Sequence, residues 1–324
     1  MSLLTDTLMS RTGWSKKDMP DLSGKTAVVT GANSGLGYET TKALAASGAR
    51  VIMACRTLSK AKGAQAKLLD DLEDSQSSSA EIDIEIVDLS SLESVDAFVA
   101  RMYETHEHLD LLINNAGVMA TPPQITDDGI EFQFACNHTG HFALTAGLMP
   151  LLHDTPGSRV VAVSSLAARS GSLIDHDPTS LDGYDPMAVY GATKLANQVF
   201  AVEFDRRLRA AGSPTISVAA HPGLSATNLF DGFDMPKVFA IGARFGSKLV
   251  TQPASIGALP QLRAACDPGV RGGSYFGPGL PGQAYGPPKE IPILRHAADL
   301  DTGSKLWDLS VELTGADPIA SIED

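Results

Sequence analysis

A single doubly wound parallel sheet with helices on both faces is the α/β architecture this chain calls for, and three features carry that reading. From Lys25 onward, short apolar runs bounded by turn residues alternate with longer segments of helical spacing, the pattern of repeated βαβ units. A glycine-rich turn, Gly31-Ala32-Asn33-Ser34-Gly35-Leu36-Gly37, joins the first apolar run to the first helical segment. No linker rich in Pro, Gly or Ser divides the chain, and no repeat of about 20–50 residues occurs. One domain is therefore expected over residues 22–324, behind an N-terminal arm at 1–21.

Thr26–Thr30 and Arg50–Ala54 read as buried strands, with a helix over Tyr38–Ser47 between them. After the polar loop Asp74–Ala80, further strands are expected at Ile82–Val87, Leu109–Ile113, Arg159–Val163, Thr215–Ala219 and Gly273–Phe276. Helical spacing marks Lys60–Leu72, Leu92–Thr105, Asp127–Leu152 and Met187–Arg209. Right-handed crossovers then cover both faces of the sheet. Ala168–Pro186 and Leu224–Thr251 break the rhythm, the second with Leu229, Phe230, Phe233, Met235 and Phe239. Both follow strands and so emerge at the carboxyl edge, where open α/β sheets bind ligands. A substrate lid around 224–251 is the functional reading and surface decoration the plainer one.

The 324 residues carry 25 Lys+Arg against 38 Asp+Glu, a formal net charge of −13. Such a surface repels polyphosphate and acidic headgroups, which argues against a nucleic-acid or membrane-surface binder. Cys55, Cys136 and Cys266 are scattered and odd in number, unlike a disulfide framework or a zinc site. The N-terminus lacks the apolar core of a signal peptide, and no apolar run approaches the ~20 residues of a membrane helix. A cytoplasmic protein without membrane insertion is the expectation.

Glycines between a strand and a helix let the backbone approach a pyrophosphate, which the helix N-terminus then meets with unpaired N–H groups. Gly31, Asn33, Ser34, Gly35, Leu36 and Gly37 are the candidate contacts. At the end of the second strand, Ala54-Cys55-Arg56 lacks the carboxylate that would select NAD. Arg56 presents donors suited to a 2′-phosphate, so NADP(H) is the expected cofactor; a solvated surface arginine is the alternative. Asp88, followed by Leu89, either accepts from an adenine amino group or, like Ser90, caps the next helix. Asn114-Asn115-Ala116-Gly117 ends the fourth strand with small and amide residues at the same edge.

Tyr190 and Lys194 stand four apart at the start of a helix and share a face. A nearby ammonium favours phenolate and should lower the tyrosine pKa from ~10. Ser164-Ser165 ends the fifth strand, where a hydroxyl can bond a carbonyl oxygen. Asn137 sits in a helical segment, FACNHTGHF, where Asn is a poor helix former. His138 and His141 are three apart but lack an acidic or cysteine partner in sequence, so no metal is expected. Cys55 and Cys136 read as small buried hydrophobes.

The ordered set from the glycine turn through Asp88, Asn114–Gly117, Asn137, Ser165, Tyr190, Lys194 and Pro222-Gly223 resembles the short-chain dehydrogenase/reductase family, of Rossmann fold. Ala54-Cys55-Arg56, Asn137-His138-x-Gly140-His141-Phe142 and His221-Pro222-Gly223 are similar to its retinol dehydrogenase-like and protochlorophyllide reductase-like branch. The resemblance implies Tyr190 as general acid/base, Ser165 polarising the carbonyl, Lys194 holding the nicotinamide ribose and Asn137 anchoring a relay water. It places Asn114, Asn115, Ala116 and Gly117 along the cofactor floor, and Pro222, Gly223 and Thr227 over the nicotinamide. The implied substrate is an apolar carbonyl/alcohol pair, and the implied assembly a homodimer or homotetramer through helix pairs, a surface that Gly277–Pro292 could cover. Light-driven protochlorophyllide reduction and a non-catalytic dinucleotide-binding regulator are the alternatives.

Overall fold

The computed structural model describes residues 13–73, 80–174, 177–225 and 251–322. Eight strands form one sheet in the order β3-β2-β1-β4-β5-β6-β7-β8. They are β1 (Thr26–Thr30), β2 (Arg50–Cys55), β3 (Ile82–Ile86), β4 (Leu111–Asn114), β5 (Arg159–Val163), β6 (Ile216–Ala220), β7 (Tyr275–Pro278) and β8 (Pro288–Glu290). Strands β1 to β7 run parallel, and β8 pairs antiparallel with β7. The main helices are α1 (Gly35–Ala46), α2 (Leu58–Glu73), α3 (Leu92–Thr105), α4 (Gly140–His153), α5 (Pro186–Ala210), α6 (Leu259–Cys266) and α7 (Leu300–Thr314).

Strand alternation divides the core in two. Val29, Val51, Met53, Ile113 and Val161 face Leu44 of α1, Leu68 of α2 and Leu262 of α6. Val28, Ile52, Leu112 and Val160 face Phe98 of α3, Leu148 of α4, Phe204 of α5 and Trp307 of α7. With both faces covered, β1 is buried at every residue, which is why Ala27, Val28 and Val29 are apolar in succession rather than alternating.

Three parts differ from the sequence reading. The helix expected from Asp127 begins at Phe132, where the buried Glu131 carboxylate accepts from Gln133 N at 3.0 Å and Phe134 N at 2.8 Å. It then widens into a π turn over Ala135–Thr139 before α4. Gly277–Pro292 contributes the β7–β8 hairpin at the sheet edge, including a proline-led strand of a kind tolerated only at edges. It is α7 that packs on α4 and α5, with Trp307 against Phe142, Phe200 and Phe204 at 5.1–6.2 Å between ring centres. Its caps are local: Asp299 accepts from Thr302 N at 2.9 Å, and Gly315 ends the helix at φ 67°. In the arm, Trp14 and Met19 pack against the core and Lys16 pairs with Glu39 at 3.3 Å.

Candidate active site

The chain leaves β1 toward β2 and later returns to β1's other side with β4, so a crevice opens between the carboxyl ends of β1 and β4. It forms a cavity of about 480 Å³. Gly31, Asn33, Ser34, Gly35, Leu36 and Gly37 line it. Gly31 and Gly35 take φ of 67° and 56°, and a Cβ at Gly37 would overlap the Gly31 carbonyl oxygen. Ser34 precedes α1 without using its hydroxyl as a cap, which leaves first-turn N–H groups for an anion. This cradle fits a dinucleotide pyrophosphate.

Side chains outside the glycine motif hold the cradle. Burial pushes the Cys55 thiol up to about 11 against the opposing effect of the Ala32 and Asn33 N–H groups, so a neutral thiol sits beside the glycine turn. Thr30 Oγ1 accepts from Asn115 N and Ala116 N at 2.9 Å each, while Asn115 Nδ2 donates to Thr30 O at 2.7 Å. His141 lies behind this joint, Nε2 2.9 Å from Thr30 Oγ1 and Nδ1 3.2 Å from Asn137 O. Burial pushes His141 down to about 3, so the ring bridges the two loops uncharged. Asn115, Ala116 and Gly117 line the cavity. Asn114 does not: strand alternation turns it the other way, where Nδ2 donates to Thr145 Oγ1 at 3.0 Å.

Arg56, Asp88 and Leu89 line the cavity beyond β2 and β3. Arg56 is exposed and, among the described residues, forms no ion pair. Asp88 Oδ1 accepts from Ser90 N at 3.0 Å and Ser90 Oγ at 2.6 Å. The cap of α3 is Ser91, which accepts from Ser94 N at 3.2 Å, so neither Asp88 nor Ser90 has that role.

The opposite wall comes from the end of β5 and the start of α5. Asp185 caps α5 by accepting from Met187 N and Ala188 N at 2.8 Å, with Pro186 in the first turn. Tyr190 follows one turn later with its side chain buried, and the Ser165 hydroxyl, which accepts from Ala167 N at 3.2 Å, lies near enough to act on its phenol. Lys194 Nζ donates to Val163 O at 3.2 Å and lies 5.9 Å from the Tyr190 ring centre. Ser164 Oγ donates to Lys194 O at 2.6 Å, beneath the helix. Asn137 occupies the π turn, which explains an Asn inside a helical pattern. Its Oδ1 accepts from Val118 N at 2.7 Å, and its Nδ2 donates to Val118 O at 2.9 Å and Thr193 Oγ1 at 3.0 Å. A Cβ at Gly117 would meet Asn137 Oδ1 and Lys194 Nζ at 3.1 Å each, so these groups converge on one glycine.

The lowering of the tyrosine pKa by Lys194 does not hold in this arrangement. Burial pushes the Tyr190 phenol up to about 12, with the nearby Ser165 hydroxyl acting the other way. Burial also pushes the Lys194 ammonium down to about 8. The ammonium is drawn to a carbonyl rather than to the phenol oxygen, and desolvation of a phenolate outweighs its field.

Met119, Leu166, Ala167, Met187 and Leu224 give the cavity an apolar side that the sequence reading did not single out. Pro222 and Gly223 line it past β6, where Gly223 N donates to His221 Nδ1 at 3.1 Å. Thr227 and nearly all of the 224–251 segment, including Phe230–Phe239, lie outside the described residues. His138 and His141 point to separate partners, and the described residues hold no cluster of three or more His, Cys, Asp or Glu.

Such a cradle opposite a Ser–Tyr–Lys wall defines a dinucleotide-dependent oxidoreductase. The short chain dehydrogenase family model matches residues 25–235, and the chain belongs to that family, whose members bind a nicotinamide dinucleotide. It is 37% identical over 299 residues to retinol dehydrogenase 14 of Mus musculus, covering 91% of this chain and 87% of that protein. With retinol dehydrogenase 13 of Homo sapiens it shares 34% over 316 residues, 94% and 88% of the two chains. A crystal structure of an uncharacterised protein from Mycobacterium paratuberculosis matches with a TM-score of 0.76 and 37% identity, over 94% of this chain and 99% of that one. The L-sorbose reductase of Gluconobacter frateurii, solved with NADPH and L-sorbose, shares the fold at a TM-score of 0.62 and 20% identity, over 80% and 95%.

Proposed function

We propose that this protein is an NADP(H)-dependent oxidoreductase that interconverts an apolar aldehyde or ketone and its alcohol. The observation that carries the reading is the single cleft whose one wall is the glycine cradle and whose other wall is Ser165, Tyr190 and Lys194. Arg56, exposed beside the cavity with no carboxylate in the Ala54-Cys55-Arg56 strand end, supports NADP(H) over NAD(H). The apolar side formed by Met119, Leu166, Met187 and Leu224 supports an apolar substrate, as does the likeness to retinol dehydrogenases.

When bound, the dinucleotide supplies or accepts the hydride. Tyr190, protonated at neutral pH, gives its proton to the carbonyl oxygen in reduction and recovers it in oxidation. Ser165, whose hydroxyl lies close enough to act on that phenol, orients and polarises the same oxygen. Lys194 holds the ribose hydroxyls, and Asn137 anchors a water that relays protons to Lys194. The buried, unpaired cysteines accord with a reducing compartment, the cytosol. No helix among the described residues is long and apolar enough to cross a membrane. A homodimer or homotetramer would have to form away from the face of α4 and α5 that α7 occupies.

The test is loss of NADPH absorbance with a panel of aldehydes and ketones, alongside the same panel with NADH. Turnover of apolar substrates with NADPH preferred is the expected result. Tight NADPH binding without turnover of any member would overturn the reading in favour of a non-catalytic dinucleotide binder.

A further inference from the structure

The mechanism leaves three buried polar side chains behind Lys194 without a role. Asn197 lies one turn along α5, and its Nδ2 donates at 3.1 Å to Val163 O, the carbonyl that also accepts from Lys194 Nζ at 3.2 Å. Asn197 Oδ1 then faces His138 Nδ1 at 3.4 Å, and His138 Nε2 lies 2.9 Å from Ser310 Oγ on α7. All three residues are under 5% exposed.

Donor and acceptor chemistry gives this line a direction. Val163 O only accepts, so Asn197 meets it with Nδ2 and turns Oδ1 to the ring. Oδ1 also only accepts, so Nδ1 carries the histidine hydrogen and Nε2 accepts from the Ser310 hydroxyl. That hydroxyl lies 2.7 Å from Leu306 O as well, and its one hydrogen is shared between the two acceptors. Burial pushes His138 down to about 4, the neutral state the line requires. Phe134, Phe142 and Phe200, with ring centres 5.1–6.3 Å away, keep the imidazole from turning out of it. Two donors on one carbonyl occupy both its lone pairs and remove its freedom to tilt at the strand end.

We propose that Asn197 is a positioning residue for Lys194, fixing the Val163 carbonyl that both side chains share, and that His138 and Ser310 extend this support to the C-terminal helix α7. The proposal rests on the reading of Lys194 as part of the reaction. The titratable groups that act with the ammonium are Tyr190 on its own helix and His141 on α4, with His138 behind Asn197; all are uncharged near neutrality.

The test compares full-length Asn197→Leu, Ser310→Ala and Lys194→Met by kcat across pH, by NADPH dissociation constant and by urea unfolding of the protein alone. Asn197→Leu should lower kcat roughly tenfold while NADPH affinity stays within about threefold. A less firmly held ammonium loses its proton more readily, so the alkaline limb of kcat should move to lower pH. The pH range over which the protein alone gains stability should move the same way. Ser310→Ala should shift both in the same direction by less, and it decides the matter if Asn197→Leu gives no cooperative unfolding. Wild-type kcat and pH limbs in both variants, beside an inactive Lys194→Met, would overturn the proposal. Full activity of Lys194→Met would instead overturn the reading of Lys194 itself.

Discussion

Replacing Lys194 by methionine should make the protein more stable while removing its activity. The side chain is 4% exposed, and burial brings its ammonium from 10.5 to about 8. At ~1.36 kcal/mol per pH unit, the folded chain bears roughly 3 kcal/mol for keeping this group charged. Methionine fills a similar volume with a flexible apolar stem. It gives up the hydrogen bond to Val163 O, about 1 kcal/mol, although Asn197 still satisfies that carbonyl. The net gain is therefore about 2 kcal/mol at pH 7. Below pH 8 the lysine is charged in both folded and unfolded chains, and the wild type carries the full penalty. Between about 8 and 10.5 the folded chain has released the proton and the unfolded chain still holds it, so wild-type stability rises with pH and the variant's advantage shrinks. Urea unfolding followed by the fluorescence of Trp14 and Trp307, from pH 7 to 10.5, measures both quantities. A variant no more stable than wild type at pH 7, or an advantage constant across that range, would refute the reasoning.

Tyr190→Phe should leave NADPH binding intact and cut kcat by roughly 10²–10⁴, the range for removing a general acid; the absorbance assay checks it, and turnover within about threefold of wild type removes the proposed acid. Arg56→Asp should lower the NADPH/NADH ratio of kcat/KM by at least about tenfold, since it exchanges a phosphate partner for a repelling charge. Gly37→Ala should abolish dinucleotide binding measured by fluorescence titration, because the new methyl group meets the Gly31 carbonyl. Thr30→Val removes the acceptor for two loop amides and should weaken NADPH binding by about 1–3 kcal/mol while also lowering Tm.

The parallel sheet was legible because strands buried on both faces, such as β1 and β2, stand out as apolar runs between helically spaced segments. The cradle was legible because three glycines at a strand–helix turn clear the space that side chains would otherwise fill, and a bound anion needs that space. What stayed hidden is what depends on which groups meet across the fold. A three-residue edge strand, Pro288–Glu290, has no apolar pattern to betray it. The caps of α7, Asp299 and Gly315, were readable signals, but its partners Phe142, Phe200 and Phe204 come from distant helices. The floor keeps Asn115, Ala116 and Gly117 but loses Asn114, because alternation at a strand end cannot be phased without the register. Cys55 looked like packing, and only the fold shows its sulfur against the glycine-loop amides. The error over the phenol has the same origin: an i, i+4 spacing puts two side chains on one face but says nothing of what else each of them contacts.

Three of the four buried carboxylates among the described residues sit beside cations, while Glu131 is met instead by the backbone N–H groups that it caps. Asp110 is met by Lys25 at 2.8 Å and Thr26 N at 2.9 Å, Glu203 by Arg206 and Arg207, and Asp205 by Arg209 at 3.0 Å. Each of these carboxylates has a cation close by, the usual condition for tolerating burial. Lys194 is as deeply buried and, among the described residues, meets a carbonyl oxygen and no carboxylate. A carboxylate partner would remove much of the penalty, but it would also neutralise the ammonium and occupy the hydrogens that the ribose hydroxyls need. On the proposed role of Lys194 the cost is retained because the charge is required unpaired, facing a cavity, where a scaffold assembled for stability alone would have an apolar residue.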